Sequence, residues 1–467
     1  MAGQKTLFEK IWDKHVVATF SDGRTLIHID RHVAQEVTSF VAFQSLRKRN
    51  FSVRNRELTF GVIDHSVSTT PGRTASTFEP TRGRIEAMQQ NCRDFGIQFF
   101  DVNDPEQGIV HVVAPEFGIA LPGCTVVCAD SHTATIGGIG AWAWGIGTTQ
   151  VFQTLASQMQ MLRKPKTMRV NFHGTPGFGV FAKDLILYLI GTHGTAAGTG
   201  YVVEYAGSAI RNLPVEGRMT ICNMSVEFGA RSGLVAVDEA TLQYLEGRRF
   251  APKGKDWGQA AASWRDMRSD GEAKFDREID VDCSTIRPLV TWGTTPQDVI
   301  AIDESVPEPS SIADPERRKA VERALSYMNL RPGKPIAGTP INVAFIGSCT
   351  NSRLSDLEEA AKIVRGRKVA EGVQALVVPG STQVKLAAEA KGLDKIFQAA
   401  GFEWRESGCS MCLAYNDDAV PPGTRSISTA NRNFENRQGP DTRTHLASPA
   451  MVAAAAIAGC ITDVRKL

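Results

Sequence analysis

The chain has 467 residues, with 52 Lys and Arg against 50 Asp and Glu and 42% hydrophobic residues. That length and composition suit a multidomain globular protein, and a formal charge of +2 supplies no bulk field for nucleic acid or an anionic membrane surface. An acidic ligand therefore has to be met by locally placed arginines.

The opening "MAGQKTLFEKIWDKH" interleaves charged and apolar residues, unlike a signal or transit peptide, so a cytoplasmic location is expected. Further along, "LTFGVI", "TVVCA", "MRVNF", "INVAFI", "ALVVPG" and "TRSIST" read as strands, several bounded by Gly or Pro, and helical patterns separate them. This alternation predicts an α/β fold with mainly parallel sheets. Residues 1–302 are too many for one core and are expected to hold two intertwined α/β domains. Residues 303–340, with "DESVPEPSSIADPE" and "RPGKPIAGTP" flanking a helical pattern, read as a linker, and 341–467 as a further α/β domain. The longest apolar run, "MVAAAAIAGCI", is too short to span a bilayer.

Acid and base groups cluster at strand ends. "VIDHS" sets Asp64 beside His65, "ADSHT" sets Asp130 and His132 around Ser131, and "GIVHVV" contributes His111. Histidine exchanges protons near neutral pH, and an adjacent carboxylate fixes its tautomer and raises its basicity. Taken alone, His111 reads as a satisfied core histidine. "TICNMSVEFGAR" adds Asn223 and Glu227 in an apolar context, where a carboxylate requires a partner.

"GSCTNSR" follows a strand and precedes a helix, so Cys349 is placed on a strand-to-helix turn, where open α/β sheets bind ligands. Ser355 and Glu358 suggest a capping box for that helix, and Leu357, Ala360, Ala361 and Val364 form its apolar stripe. After 59 intervening residues, "GCSMC" brings Cys409 and Cys412 in a C-x-x-C pair. The nine cysteines are odd in number and show no disulfide framework, so reduced thiols are expected. Buried cysteines, a redox pair and a metal centre all remain open on this spacing. Structural zinc normally closes with a fourth protein ligand, and no histidine lies nearby in the sequence. Three cysteines on a four-iron cluster would instead leave one iron open to water or substrate. "TANRNFENRQG" offers Asn431, Arg432 and Arg437, the guanidinium groups being suited to bidentate contact with carboxylates.

Taken together and in this order, "DSHTAT", "ICNMSVE", "GSCTNSR", "GCSMC" and "NRNFENRQG" resemble the aconitase superfamily, and within it the branch of 3-isopropylmalate dehydratase large subunits. "FAPKGKDW", "LVTWGTTP", "GVQALVVPGS" and "GFEWRESGCSMC" extend the resemblance over essentially the whole chain. The resemblance implies three α/β domains around an iron-sulfur cleft, and a hydro-lyase that moves a hydroxyl between adjacent carbons of a malate-like acid in leucine biosynthesis. It implies a [4Fe-4S] cluster with Cys349, Cys409 and Cys412 as ligands and one open iron. His65, backed by Asp64, would protonate the leaving oxygen; Asp130 with His132, and His111 with Glu227, would hold the surrounding hydrogen-bond network. Ser131, Asn223, Asn431, Arg432 and Arg437 would serve substrate binding. The chain closes at "ITDVRKL", soon after the arginine motif, so the serine base of single-chain relatives is expected on a separate small subunit.

Phe40 and Val41 stand where the family pattern has Pro-Gln, Ile136 where His is frequent, and Tyr415 where Met is usual. A related acid, 2-methylmalate or 2,3-dimethylmalate, is therefore an alternative substrate to isopropylmalate, since pockets separate methylene-scale differences weakly. A nucleic-acid binder and a structural zinc protein are the remaining classes, and the balanced charge argues against the first.

Overall fold

A computed structural model describes residues 4–467. The chain forms two compact units, neither a single stretch of sequence. The first comprises residues up to Val67, Arg73–Thr175 and Ala196–Asp282; the second comprises Ser68–Gly72, Pro176–Thr195 and Cys283–Leu467. Residues 303–340 lie inside the second unit, and the helix Pro315–Met328 falls within them.

The first unit is built on two parallel sheets. One has five strands in the order Gln98–Phe100, Thr59–Val62, Arg31–Gln35, Thr125–Cys128 and Trp142–Gly145. All residues of Thr59–Val62 and Thr125–Cys128 are buried, as expected of parallel strands covered on both faces, which is why they read as unbroken apolar runs. The other has four, in the order Ser232–Val235, Tyr201–Ala206, Lys166–His173 and Arg277–Asp282. Trp142 and Trp144 stack at 4.1 Å, and Phe8 and Trp12 close on Trp142 to form an aromatic core. The turn Ser131–Ile139 lies against the strand Ser232–Val235 so closely that a Cβ on Gly137 would fall 1.8 Å from the Gly233 carbonyl oxygen. Only glycine permits that approach, and it fixes the turn that carries His132.

The second unit holds a five-stranded parallel sheet in the order Glu403–Trp404, Gln374–Val377, Val343–Ile346, Arg425–Ser428 and Arg443–Leu446. The hairpin Leu289–Thr291 and Val299–Ala301 adjoins it, Thr291 Oγ1 accepting from Leu446 N at 2.7 Å. The alanine-rich run forms the helix Pro449–Ala458, which packs on the helix Leu354–Val364. Its small side chains are buried on every face, so it is a core helix, and no helix among the described residues is long and apolar enough to cross a membrane.

All six strands read from the sequence are present, and Leu357, Ala360, Ala361 and Val364 are the buried stripe of their helix. Its start differs from expectation. The cap is Arg353 rather than Ser355, and Asp356 Oδ2 accepts from Arg353 N at 3.1 Å. Aspartate three residues past the cap satisfies an otherwise unbonded amide, the role expected of Glu358 two residues further on.

Candidate active site

In the first unit, the ends of two neighbouring regions of sheet deliver a connected acid-base network. Asp64 follows the strand Thr59–Val62 and is fully buried. Its Oδ1 lies 2.5 Å from His65 Nδ1 and its Oδ2 accepts from Val110 N at 3.1 Å, so one carboxylate orients the ring and ties it to the helix Val110–Glu116. The other ring nitrogen, His65 Nε2, lies 3.1 Å from Asp130 Oδ2. An imidazole facing a carboxylate oxygen at each nitrogen is placed to hold a proton on both.

Asp130 caps the turn Ser131–Ile139 and joins the network's parts. Its Oδ1 accepts from His132 N at 2.7 Å and lies 3.0 Å from His111 Nε2. Burial opposes its charge, but His111, His132 and His65 outweigh that and hold the carboxyl well below the usual carboxylate range. His132 Nε2 continues to Glu227 Oε1 at 2.9 Å. His132 stays with Asp130, as the sequence suggests, its Nδ1 lying 3.6 Å from Asp130 Oδ1; the same carboxylate also meets His111, and Glu227 Oε1 meets His132. Ser131 Oγ lies 3.4 Å from His132 Nδ1, and buried Asn223 donates to Thr135 Oγ1 at 2.8 Å.

Glu36 was not anticipated. It is buried and receives His65 N at 2.8 Å, Ser66 N at 2.5 Å and Asp64 N at 3.2 Å, strapping the Asp-His turn in place. Burial, with the Asp64 charge adding to it, pushes its carboxyl upward. Its one signal in the sequence is its place directly after the strand Arg31–Gln35.

In the second unit, Cys349, Cys409 and Cys412 are all buried, and none of the nine cysteines forms a disulfide. Asn431 spans two of them: its Nδ2 donates to Cys349 Sγ at 3.5 Å, and its Oδ1 lies 3.9 Å from Cys412 Sγ. Sulfurs held apart by a carboxamide are not poised for a disulfide, whose S–S bond is about 2 Å long. Arg437 Nη2 reaches Cys412 Sγ at 3.7 Å, while Arg432 is half-buried beside Asn431 in sequence. The flanking backbone is strained: Ser348 has φ +75° and Ser410 φ +51°, both buried and neither glycine. Thr429 Oγ1 pins the first turn by bonding both Gly347 N and Gly347 O at 2.8 Å.

Lys183 also escaped the sequence reading. From the helix Ala182–His193 it donates Nζ to the carbonyls of Thr429 at 2.5 Å and Ala430 at 2.6 Å, immediately before Asn431. Burial lowers its pKa to about 7, against the favourable charges of Asp356, Cys412, Asp184 and Cys349. A Lys-Asp pair inside the apolar "FAKDLILYLI" was the available signal.

The model of the aconitase family (aconitate hydratase) matches residues 9–459. The chain belongs to the aconitase family. Over 463 residues, 99% of this chain and 97% of the relative, it is 57% identical to a 3-isopropylmalate dehydratase large subunit 1 of Bradyrhizobium diazoefficiens. Membership of the aconitase family implies an iron-sulfur cluster. The donor set fits one: three buried sulfurs on two strained turns, two of them bridged by one carboxamide, with the ammonium of Lys183 nearby to offset thiolate charge.

Of the family-pattern departures, Ile136 is fully buried in the apolar core with Val33, Val126 and Met219. Phe40 and Val41 open the helix Phe40–Lys48, where Val41 is exposed.

Proposed function

We propose that this chain is the large subunit of a cytoplasmic 3-isopropylmalate dehydratase, converting 2-isopropylmalate to 3-isopropylmalate through 2-isopropylmaleate in leucine biosynthesis, together with a separate small subunit. The observation that carries the chemistry is His65 held between Asp64 and Asp130. The substrate rests on the 57% identity to a relative bearing that name.

Cys349, Cys409 and Cys412 are the proposed ligands of a [4Fe-4S] cluster. When bound, it supplies an open iron that acts as a Lewis acid toward a substrate hydroxyl and carboxylate. His65 gives a proton to the departing hydroxyl oxygen, so that the carbon–oxygen bond breaks with water as the leaving group. Asp64 keeps the ring oriented, and Asp130 stabilises the imidazolium that donates the proton, the ring being neutral once it has done so. His111 and His132 keep Asp130 ionised, and Glu227 holds the His132 ring in place. Arg432 and Arg437 are assigned to substrate carboxylates, with Ser131, Asn223 and Asn431 in supporting polar contacts. The base that removes the proton from carbon belongs to the small subunit.

The test is anaerobic reconstitution with iron and sulfide, together with the small subunit, followed by ultraviolet detection of the alkene from 3-isopropylmalate, 2-methylmalate and 2,3-dimethylmalate. Preferential turnover of the isopropyl acid is expected. Preference for a smaller acid would keep the chemistry, overturn the substrate assignment and direct attention to Phe40 and Val41, since Ile136 serves the core.

A further inference from the structure

In the second unit the strands Arg425–Ser428 and Arg443–Leu446 run parallel with Arg425 and Arg443 as register partners at their starts. Like charges at neighbouring sheet positions are destabilising, and a carboxylate normally separates or pairs them. Here none does. Arg425, only 9% exposed, donates Nη1 to His445 Nε2 at 2.7 Å and Nη2 to Met328 O at 2.7 Å. Arg443 donates Nε to Tyr327 O at 2.8 Å and Nη1 to Gly423 O at 2.9 Å, and its Nη2 has no hydrogen-bond partner among the described residues. Carbonyls and an imidazole orient the two guanidinium groups without neutralising them. His445 adds no charge of its own: its Nε2 accepts from Arg425, and burial, then Arg425, lowers its pKa to about 3 against the opposing bond from Nδ1 to Thr291 O at 2.6 Å.

Both arginines line a cavity of about 430 Å³, a size that suits a small organic ligand. Exposed Arg331 and Lys334 also line it, and no Asp or Glu does. Neither of these two side chains pairs with any carboxylate among the described residues. Leu330, Pro335 and Pro340 supply apolar wall. The cavity sits where the strands begin, whereas Cys349 and Asn431 follow the ends of Val343–Ile346 and Arg425–Ser428. It is therefore at the opposite edge of the same sheet from the cysteines.

We propose that this cavity binds a small phosphorylated anion, with Arg425 and Arg443 forming its floor and Arg331 and Lys334 its mouth. Four cations without an acid exceed what a monocarboxylate would offset, whereas a phosphate ester or pyrophosphate brings two or more negative charges. Its tetrahedral oxygens can accept from several donors at once, including the uncommitted Nη2 of Arg443.

The test is calorimetric titration of the full chain with inorganic pyrophosphate, and separately with malonate, in low salt. Saturable binding of one pyrophosphate per chain is expected, with malonate much weaker. Arg331→Gln combined with Lys334→Gln removes only exposed charges, so it should leave the unfolding midpoint unchanged while weakening pyrophosphate by about tenfold or more. Arg443→Gln should weaken it similarly. Absence of saturable binding, malonate binding as tight as pyrophosphate, or unchanged affinity in the folded mouth variant would each overturn the proposal. No substrate turnover enters the measurement, and the Arg331→Gln/Lys334→Gln variant, which leaves Arg432 and Arg437 intact, separates binding in this cavity from binding at the arginines of the hydro-lyase reading.

Discussion

Asp130 faces His65 and His111 with different oxygens of one carboxylate, Oδ2 lying 3.1 Å from His65 Nε2 and Oδ1 3.0 Å from His111 Nε2. Replacing it with asparagine preserves shape but removes the charge that both rings share. In the reconstituted holoenzyme, Asp130→Asn should lower kcat by about 10²–10⁴-fold, the range for loss of acid-base function. Iron content and far-ultraviolet circular dichroism should remain those of the parent. Full turnover in a loaded Asp130→Asn enzyme would remove His65 and Asp130 from the mechanism.

Asn431 contacts the sulfurs of Cys349 and Cys412 and is buried with them. Asn431→Asp places a carboxylate against two prospective thiolates and should reduce iron and acid-labile sulfide per chain after anaerobic reconstitution. Cys409→Ser should abolish cluster retention while the chain remains folded. Iron and sulfide analysis reads both, and stoichiometric loading of the serine variant would contradict the ligand assignment.

Lys183 is buried and bonds two backbone carbonyls just ahead of Asn431. Lys183→Met fills similar volume but leaves those carbonyls without a donor, at a cost of about 2–4 kcal/mol. Urea unfolding of the full chain should show the lowered midpoint, and iron loading should fall with it. An unchanged midpoint would mean that other donors satisfy Thr429 and Ala430.

His32, on the strand Arg31–Gln35, is fully buried with neither ring nitrogen bonded among the described residues, and burial lowers its pKa to about 4. Its unfolded value is near 6.5, so between these values the unfolded chain binds more protons and stability falls as pH drops. The resulting loss for this one group is about 2 kcal/mol at pH 5 and levels off below pH 4. His32→Leu should therefore gain on the parent by that amount between pH 7.5 and pH 5, measured as the change in their denaturation difference. A difference independent of pH would show that His32 takes its proton without unfolding.

Much of this protein is determined by local sequence. Thr59–Val62, Thr125–Cys128 and Val343–Ile346 are legible because short runs buried on both faces leave no alternation, Lys166–His173 is legible because its burial does alternate, and the helix after Cys349 is legible from the spacing of Leu357, Ala360, Ala361 and Val364. The cysteine, aspartate-histidine and arginine motifs are likewise short and continuous, so their chemistry is visible without a fold. The cap falls at Arg353, two residues before Ser355, because Asp356 Oδ2 is placed to accept from the Arg353 amide.

Only the tertiary structure decided which groups meet. The bonds from His111 to Asp130 and from His132 to Glu227 follow from the packing of the Ser131–Ile139 turn, not from any spacing along the chain. Glu36 reaches the Asp64-His65 turn because the strands Arg31–Gln35 and Thr59–Val62 are neighbours in register. Lys183 meets Thr429 and Ala430 across more than half the chain, and Arg425 meets Arg443 through parallel pairing. A buried polar group is defined by its partners, and parallel sheets draw those partners from distant segments; no local pattern encodes that choice.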